Sequence, residues 1–219
     1  QYSFYLHSDD RTDIAAMATI STISQPLRGE FIRTAATAGA VVYQVDARLP
    51  ALIPVFFAGQ LSAVRLCAVM ALVSGTWSSL TGLPDEPENG GAALPVSPET
   101  EYQRRRYTLT LQNGRSGERV ESVLTEASSR LRGDLLRNLI ITGLALHTTA
   151  PELPRLLTSM PVPPTSVSEL QALVQQMAGT TAVNRAAAAV PDTPATSAMP
   201  VSGSDTREIK KNMRRAFGD

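Results

Sequence analysis

The chain opens on an alternating, aromatic-rich run, YSFYLHS (Tyr2–Ser8), with the two-residue period of a strand. In DRTDIAAMATISTIS the apolar Ile14, Met17, Ile20 and Ile23 recur at helical spacing, which predicts a helix ending before Pro26. LRGEFIRTAATAG predicts a second helix, with Gly39 as its C-cap. AVVYQVDARL then alternates. Val41, Tyr43, Val45, Ala47 and Leu49 fall on one face and Val42, Gln44, Asp46 and Arg48 on the other, the mark of a half-buried strand. LIPVFFAG reads as a short buried extended run, and QLSAVRLCAVMALVSG as a helix stopped by Gly75.

The second half begins with EYQRRRYTLTLQNG, another alternating strand. Tyr107, Leu109 and Leu111 share one face and Arg104, Arg106, Thr108 and Thr110 the other, and Asn113–Gly114 supplies a turn. From Glu118 to His147 the apolar residues Val120, Val123, Leu124, Ala127, Leu131, Leu135, Leu139 and Leu146 predict one long helix, weakened locally at Gly133 and Gly143. Three shorter helices are expected next. PELPRLLTSM has Pro151 in its first turn, LQALVQQMA lies between a capping box at Ser166–Glu169 and Gly179, and AVNRAAAAV runs up to Pro191. Residues 191–204 read as a linker, and Asp205–Glu208 opens a basic helix, IKKNMRRAF. No internal repeat stands out.

The fold class expected is α+β: a few strands and helices in the N-terminal half, a helical C-terminal half and an extended C-terminal arm. Residues 1–81 and 101–190 are assigned to one compact domain, 82–100 to an acidic Pro/Gly loop and 191–219 to a linker and basic amphipathic tail.

Composition narrows the classes. Hydrophobic residues make up 43% of the 219 but aromatics only 5%, so aliphatic side chains must fill the core. Formal net charge is zero, which excludes bulk electrostatics as a drive onto nucleic acid or anionic membrane. The single Cys67 cannot form an internal disulfide, so no dependence on an oxidising compartment is expected, and no signal peptide is expected either. The most hydrophobic stretch, 51–73, contains Pro54, Gln60 and Arg65 and reads as a core element, not an integral membrane span.

Catalytic signatures are lacking. His7 and His147 stand outside any metal-binding spacing, and one cysteine cannot supply a zinc site. No nucleophile elbow, P-loop or dinucleotide fingerprint is present, so no cofactor and no enzyme is expected. VLTEASSRLR places Glu126 and Arg130 one helical turn apart and resembles the active-site helix of ribosome-inactivating N-glycosidases. The spacing departs by one residue and the single Trp is Trp77, so an enzyme of that kind is only a third reading.

Two cationic places remain. Arg104 and Arg106, beside Tyr107, form a candidate platform for phosphate and base on a strand, or else pair with acids of the 85–88 loop or of a neighbouring subunit. In the tail, Lys210, Lys211, Arg214 and Arg215 surround an apolar stripe of Ile209, Met213 and Phe217, which suits docking in a groove. By composition the acidic loop and the arm would order only against neighbouring copies.

The expectation is therefore a structural, self-assembling protein, a viral capsid or nucleocapsid subunit present as a homo-oligomer of many copies with viral nucleic acid as a possible partner, in the virion or host cytoplasm. The alternative is a non-catalytic adaptor or matrix-like module that docks a partner or a membrane through its tail.

Overall fold

The computed structural model describes residues 1–76 and 104–188, with side chains described as far as residue 179. Residues 1–184 form one compact unit, and residues 185–219 separate as a second, of which only the last turn of a helix is described. The architecture is α+β. In chain order the elements are β1 (Tyr2–His7), α1 (Arg11–Ser21), a short 3-10 turn (Gln25–Leu27), α2 (Arg28–Val45), α3 (Leu49–Phe56), α4 (Ala63–Ser74), β2 (Arg104–Leu109), α5 (Arg115–Glu126), α6 (Arg132–Thr149), α7 (Leu153–Ser159) and α8 (Val167–Ala188).

Local chemistry explains several boundaries. The Asp10 carboxylate caps α1 by accepting from the backbone N–H groups of Thr12 and Asp13 at 2.8 and 3.0 Å. Ser62 and Ser166 cap α4 and α8, each Oγ accepting from the N–H three residues on, at 3.3 and 3.2 Å. Gly75, at φ 74°, stops α4 in the left-handed region that a side chain disfavours.

Four expectations are corrected. The segment 40–49 is no strand: α2 continues through Gly39 to Val45. Val41 and Val42 are both fully buried, so the segment is apolar on adjacent sides and its alternation carries no face information. The run from Leu52 is α3, with Pro50 in its first turn and Pro54 inside. The single long helix over 118–147 is two helices, broken at Ala127–Leu131. The stop expected at Gly179 does not occur, and the last two predicted helices are one, α8.

The arrangement also carries a repeat that the sequence reading missed. Helices α1, α2, α3 and α4 begin at Arg11, Arg28, Leu49 and Ala63; α5, α6, α7 and α8 begin at Arg115, Arg132, Leu153 and Val167, each 104 residues later. Each set follows one strand. SQPLRGEFIR (24–33) aligns with SSRLRGDLLR (128–137), Leu49-Pro50 with Leu153-Pro154, and Gly39, Ser62, Leu66 and Gly75 with Gly143, Ser166, Leu170 and Gly179. Hydrogen bonds repeat as well. Arg28 Nε donates to the Ile23 carbonyl at 2.8 Å and Arg132 Nε to the Ala127 carbonyl at 3.2 Å.

The two copies meet as an isologous pair. β1 and β2 form an antiparallel two-stranded ribbon in which Phe4 is opposite Tyr107. The two 18-residue helices, α2 and α6, make the most extensive helix contact, and α3 packs on α6 as α7 packs on α2. A Cβ on Gly39 would lie 2.0 Å from the Leu139 carbonyl oxygen, and one on Gly143 would lie 2.1 Å from that of Ala35. Ala35 and Leu139 are themselves equivalent positions, so the contact is reciprocal. Only glycine lets the two backbones approach this closely. Around this crossing the fully buried Ala36, Ala38 and Ala40 of α2 face a molecule whose other long helix supplies the bulkier Leu136, Leu139 and Ile141, so small and large residues share one core.

Candidate nucleic-acid interface

The ribbon has two unlike faces because side chains alternate along a strand. One face belongs to the core: Phe4, Leu6 and Leu109 are buried, and the Phe4 and Tyr107 rings stack at 5.2 Å. The other face carries Ser3, Tyr5 and His7 from β1 and Arg104, Arg106 and Thr108 from β2. All three β2 residues of this face are exposed, while the three from β1 are half-buried.

The cations on that face are held in place by neighbours on the opposite strand. The Arg104 guanidinium lies 3.5 Å from the centre of the Tyr5 ring, a cation–π contact. Arg106 donates to Ser3 Oγ from Nε and from a terminal nitrogen, at 3.3 and 3.0 Å. Each exposed arginine is therefore a planar fork steadied by a neighbour on the opposite strand.

The sequence reading placed Arg104 and Arg106 together, and the structure does the same. Tyr107 lies on the opposite face, half-buried against Phe4, and does not join them. Burial pushes its phenol above the ordinary tyrosine value, against the opposing influence of Arg105 and Arg28. Ser3 and Tyr5, the partners that fix the two arginines, were not singled out; only the register of two strands a hundred residues apart brings them there. The acids of the 85–88 loop and the tail residues Ile209, Lys210, Lys211, Met213, Arg214, Arg215 and Phe217 lie outside the described residues.

An open cavity of about 520 Å³ adjoins the His7–Arg104 end of this face, lined by Asp9, Asp10, Asp13, Asp134 and Arg137 among others. Asp13 is almost fully buried there. Its carboxylate accepts from the His7 backbone N–H at 2.9 Å and from Arg137 Nε at 2.6 Å, while Arg137 also reaches Asp10 at 3.2 Å. Burial is the strongest influence and raises the Asp13 carboxyl above the ordinary aspartate value, although the His7 N–H and Arg137 pull it down.

Glu126 ends α5 and Arg130 sits in the link to α6, so they are not one turn apart on a single helix and the N-glycosidase likeness has no geometric basis. His147 sits in the last turn of α6, its Nδ1 3.1 Å from the Pro151 carbonyl oxygen and its ring edge-on to Phe31. Cys67 is buried, and burial pushes its thiol up, away from reactivity. Among the described residues no cluster of His, Cys, Asp and Glu could hold a metal ion, and no helix is long and apolar enough to cross a membrane.

No curated protein and no solved structure matches the chain. A family model described as "Plasmid stability protein" matches residues 1–70 and 105–174, one stretch on each repeat. That finding overturns the capsid, nucleocapsid and matrix-like readings and the virion location that went with them: their motive was compositional, a loop and an arm thought to order between copies, and composition is shared by unrelated classes. With well over half of its length matched, the chain belongs to the plasmid stability protein family.

Proposed function

We propose that this chain is a non-catalytic DNA-binding protein of plasmid maintenance, which lays the outer face of its β-ribbon in the major groove. The observation that carries this reading is the exposed pair Arg104 and Arg106 on the solvent face of a two-stranded ribbon, in a member of a plasmid stability family. The major groove of B-DNA, about 12 Å wide, admits such a ribbon, and arginine forks suit both phosphate and the guanine edge. The zero net charge favours contact confined to this face over general attraction to polyanions. Work on plasmid DNA would place the protein in the cytoplasm. Association of further copies along the DNA, the remaining part of the homo-oligomer expectation, would add avidity.

The test is the salt dependence of binding to plasmid-derived duplex by the wild type and by Arg104→Gln/Arg106→Gln. Each lost phosphate contact should flatten the log–log slope by about 0.9 and weaken binding at low salt. Unchanged affinity and slope would remove the ribbon from DNA binding.

A further inference from the structure

We infer that one chain, without a partner copy, reads a single duplex site that lacks two-fold symmetry; this rests on the ribbon reading above. A two-fold dimer of identical strands offers the same side chains twice, and its operator mirrors that symmetry. Here both strands come from one chain, so the ribbon is complete in the monomer. Its halves have equivalent backbones and unlike side chains. Phe4 and Tyr107 are partners on the core face, and Leu6 and Leu109 are both buried, so Ser3 corresponds to Arg106 and Tyr5 to Thr108 on the outer face. A serine hydroxyl, a phenol, a threonine methyl and a guanidinium recognise different base edges. On one side of the ribbon centre Ser3 is opposite Thr108; on the other Tyr5 is opposite Arg106.

The electrostatics at the ends of the ribbon are unequal as well. At the His7–Arg104 end the adjoining cavity carries Asp9, Asp10, Asp13 and Asp134 against Arg104 and Arg137. In the second repeat the counterparts of Asp10 and Asp13 are Gly114 and Gly117, and the corresponding cavity holds one acid and one base, Glu30 and Arg33. The excess of carboxylates over arginines at the first end makes it less favourable to a phosphate backbone than the balanced second end, which gives the chain one preferred direction on the duplex.

Selection of duplexes from a random library by the full chain, followed by native mass measurement of the complex, tests this. The expected result is a non-palindromic site with one chain per duplex. Thr108→Ala should relax base preference on the Ser3 side of the site centre and Arg104→Gln, whose guanidinium lies over Tyr5, on the other, each by about tenfold in discrimination. A palindromic site carrying two chains would overturn the inference while leaving DNA binding by the ribbon intact. Failure to recover any duplex would overturn the ribbon reading and the inference together.

Discussion

Arg33 of α2 and Arg137 of α6 hold the same place in the two repeats, yet they make different bonds. Arg33 pairs at 2.6 Å with Glu30, three residues back on its own helix, and the carboxylate is 61% exposed. Arg137 instead crosses to the first repeat, at 2.6 Å from Asp13, whose side chain is 1% exposed. The second repeat has Gly117 where Asp13 stands and so offers Arg33 no equivalent partner. Duplicated helices have kept their path while the corners between them have diverged, one into a buried ionic link between halves and the other into a solvated surface pair.

The largest expected effect breaks that comparison directly. Arg137→Met leaves Asp13 buried beside one backbone N–H and should cost about 3–5 kcal/mol in chemical denaturation. Arg33→Met, at the matching site, should cost less than about 1 kcal/mol. Equal costs would mean that the two corners are energetically alike. Asp13→Asn keeps an acceptor for His7 and removes the buried charge, so it should be milder than Arg137→Met.

The same site sets a pH dependence. The folded Asp13 carboxyl titrates above its unfolded value, so the folded state binds this proton more tightly. Its contribution is present below the unfolded value and is lost as pH rises through the folded one. The stability difference between wild type and Asp13→Asn should therefore move in favour of the wild type as pH is lowered from neutral into the aspartate range. A difference that stays flat over that range would contradict the raised value.

Next in size are the glycines of the helix crossing. Gly39→Ala and Gly143→Ala each drive a methyl into a carbonyl of the opposite helix and should cost about 3 kcal/mol. Gly179→Ala, inside α8 with nothing within 4 Å of the new methyl, should stabilise by about 0.4–1 kcal/mol. A tolerated Gly143→Ala would show that α2 and α6 do not approach as closely as the reciprocal contact requires. The smallest effect concerns Thr142, equivalent to Ala38. Its buried hydroxyl has no hydrogen-bond partner, so Thr142→Ala should change stability by no more than about 1 kcal/mol in either direction, since the lost methyl offsets the relieved oxygen. A loss well beyond that would reveal a bond to the hydroxyl.

Both ribbon strands and the outward pairing of Arg104 with Arg106 were legible, because a sheet with one buried face imposes a strict alternation on six residues. The second half of α2 was not. Gly39 looks like a stop when its reason lies across the core at Leu139, and a helix buried on adjacent sides has no polar stripe to mark it. The repeat was hidden by unlike core residues: Ala35 and Ala36 are matched by Leu139 and Ile140, a swap that lets α2 and α6 interlock but erases similarity where hydrophobic pattern is read. The shared Arg-Gly-acid starts at Arg28 and Arg132, and the Leu-Pro starts of α3 and α7, would have revealed it. The ionic link between Asp13 and Arg137 has no local signal at all, since its partners are 124 residues apart.

Amide hydrogen exchange of the full chain with and without a bound plasmid duplex tests the central claim most directly, because it locates the DNA on the molecule. Exchange should slow in peptides covering residues 2–7 and 104–109 and stay unchanged in α4 and α7, away from the ribbon. Protection confined to residues outside the ribbon, such as the basic segment 205–217, would contradict the account and place the DNA elsewhere on the chain.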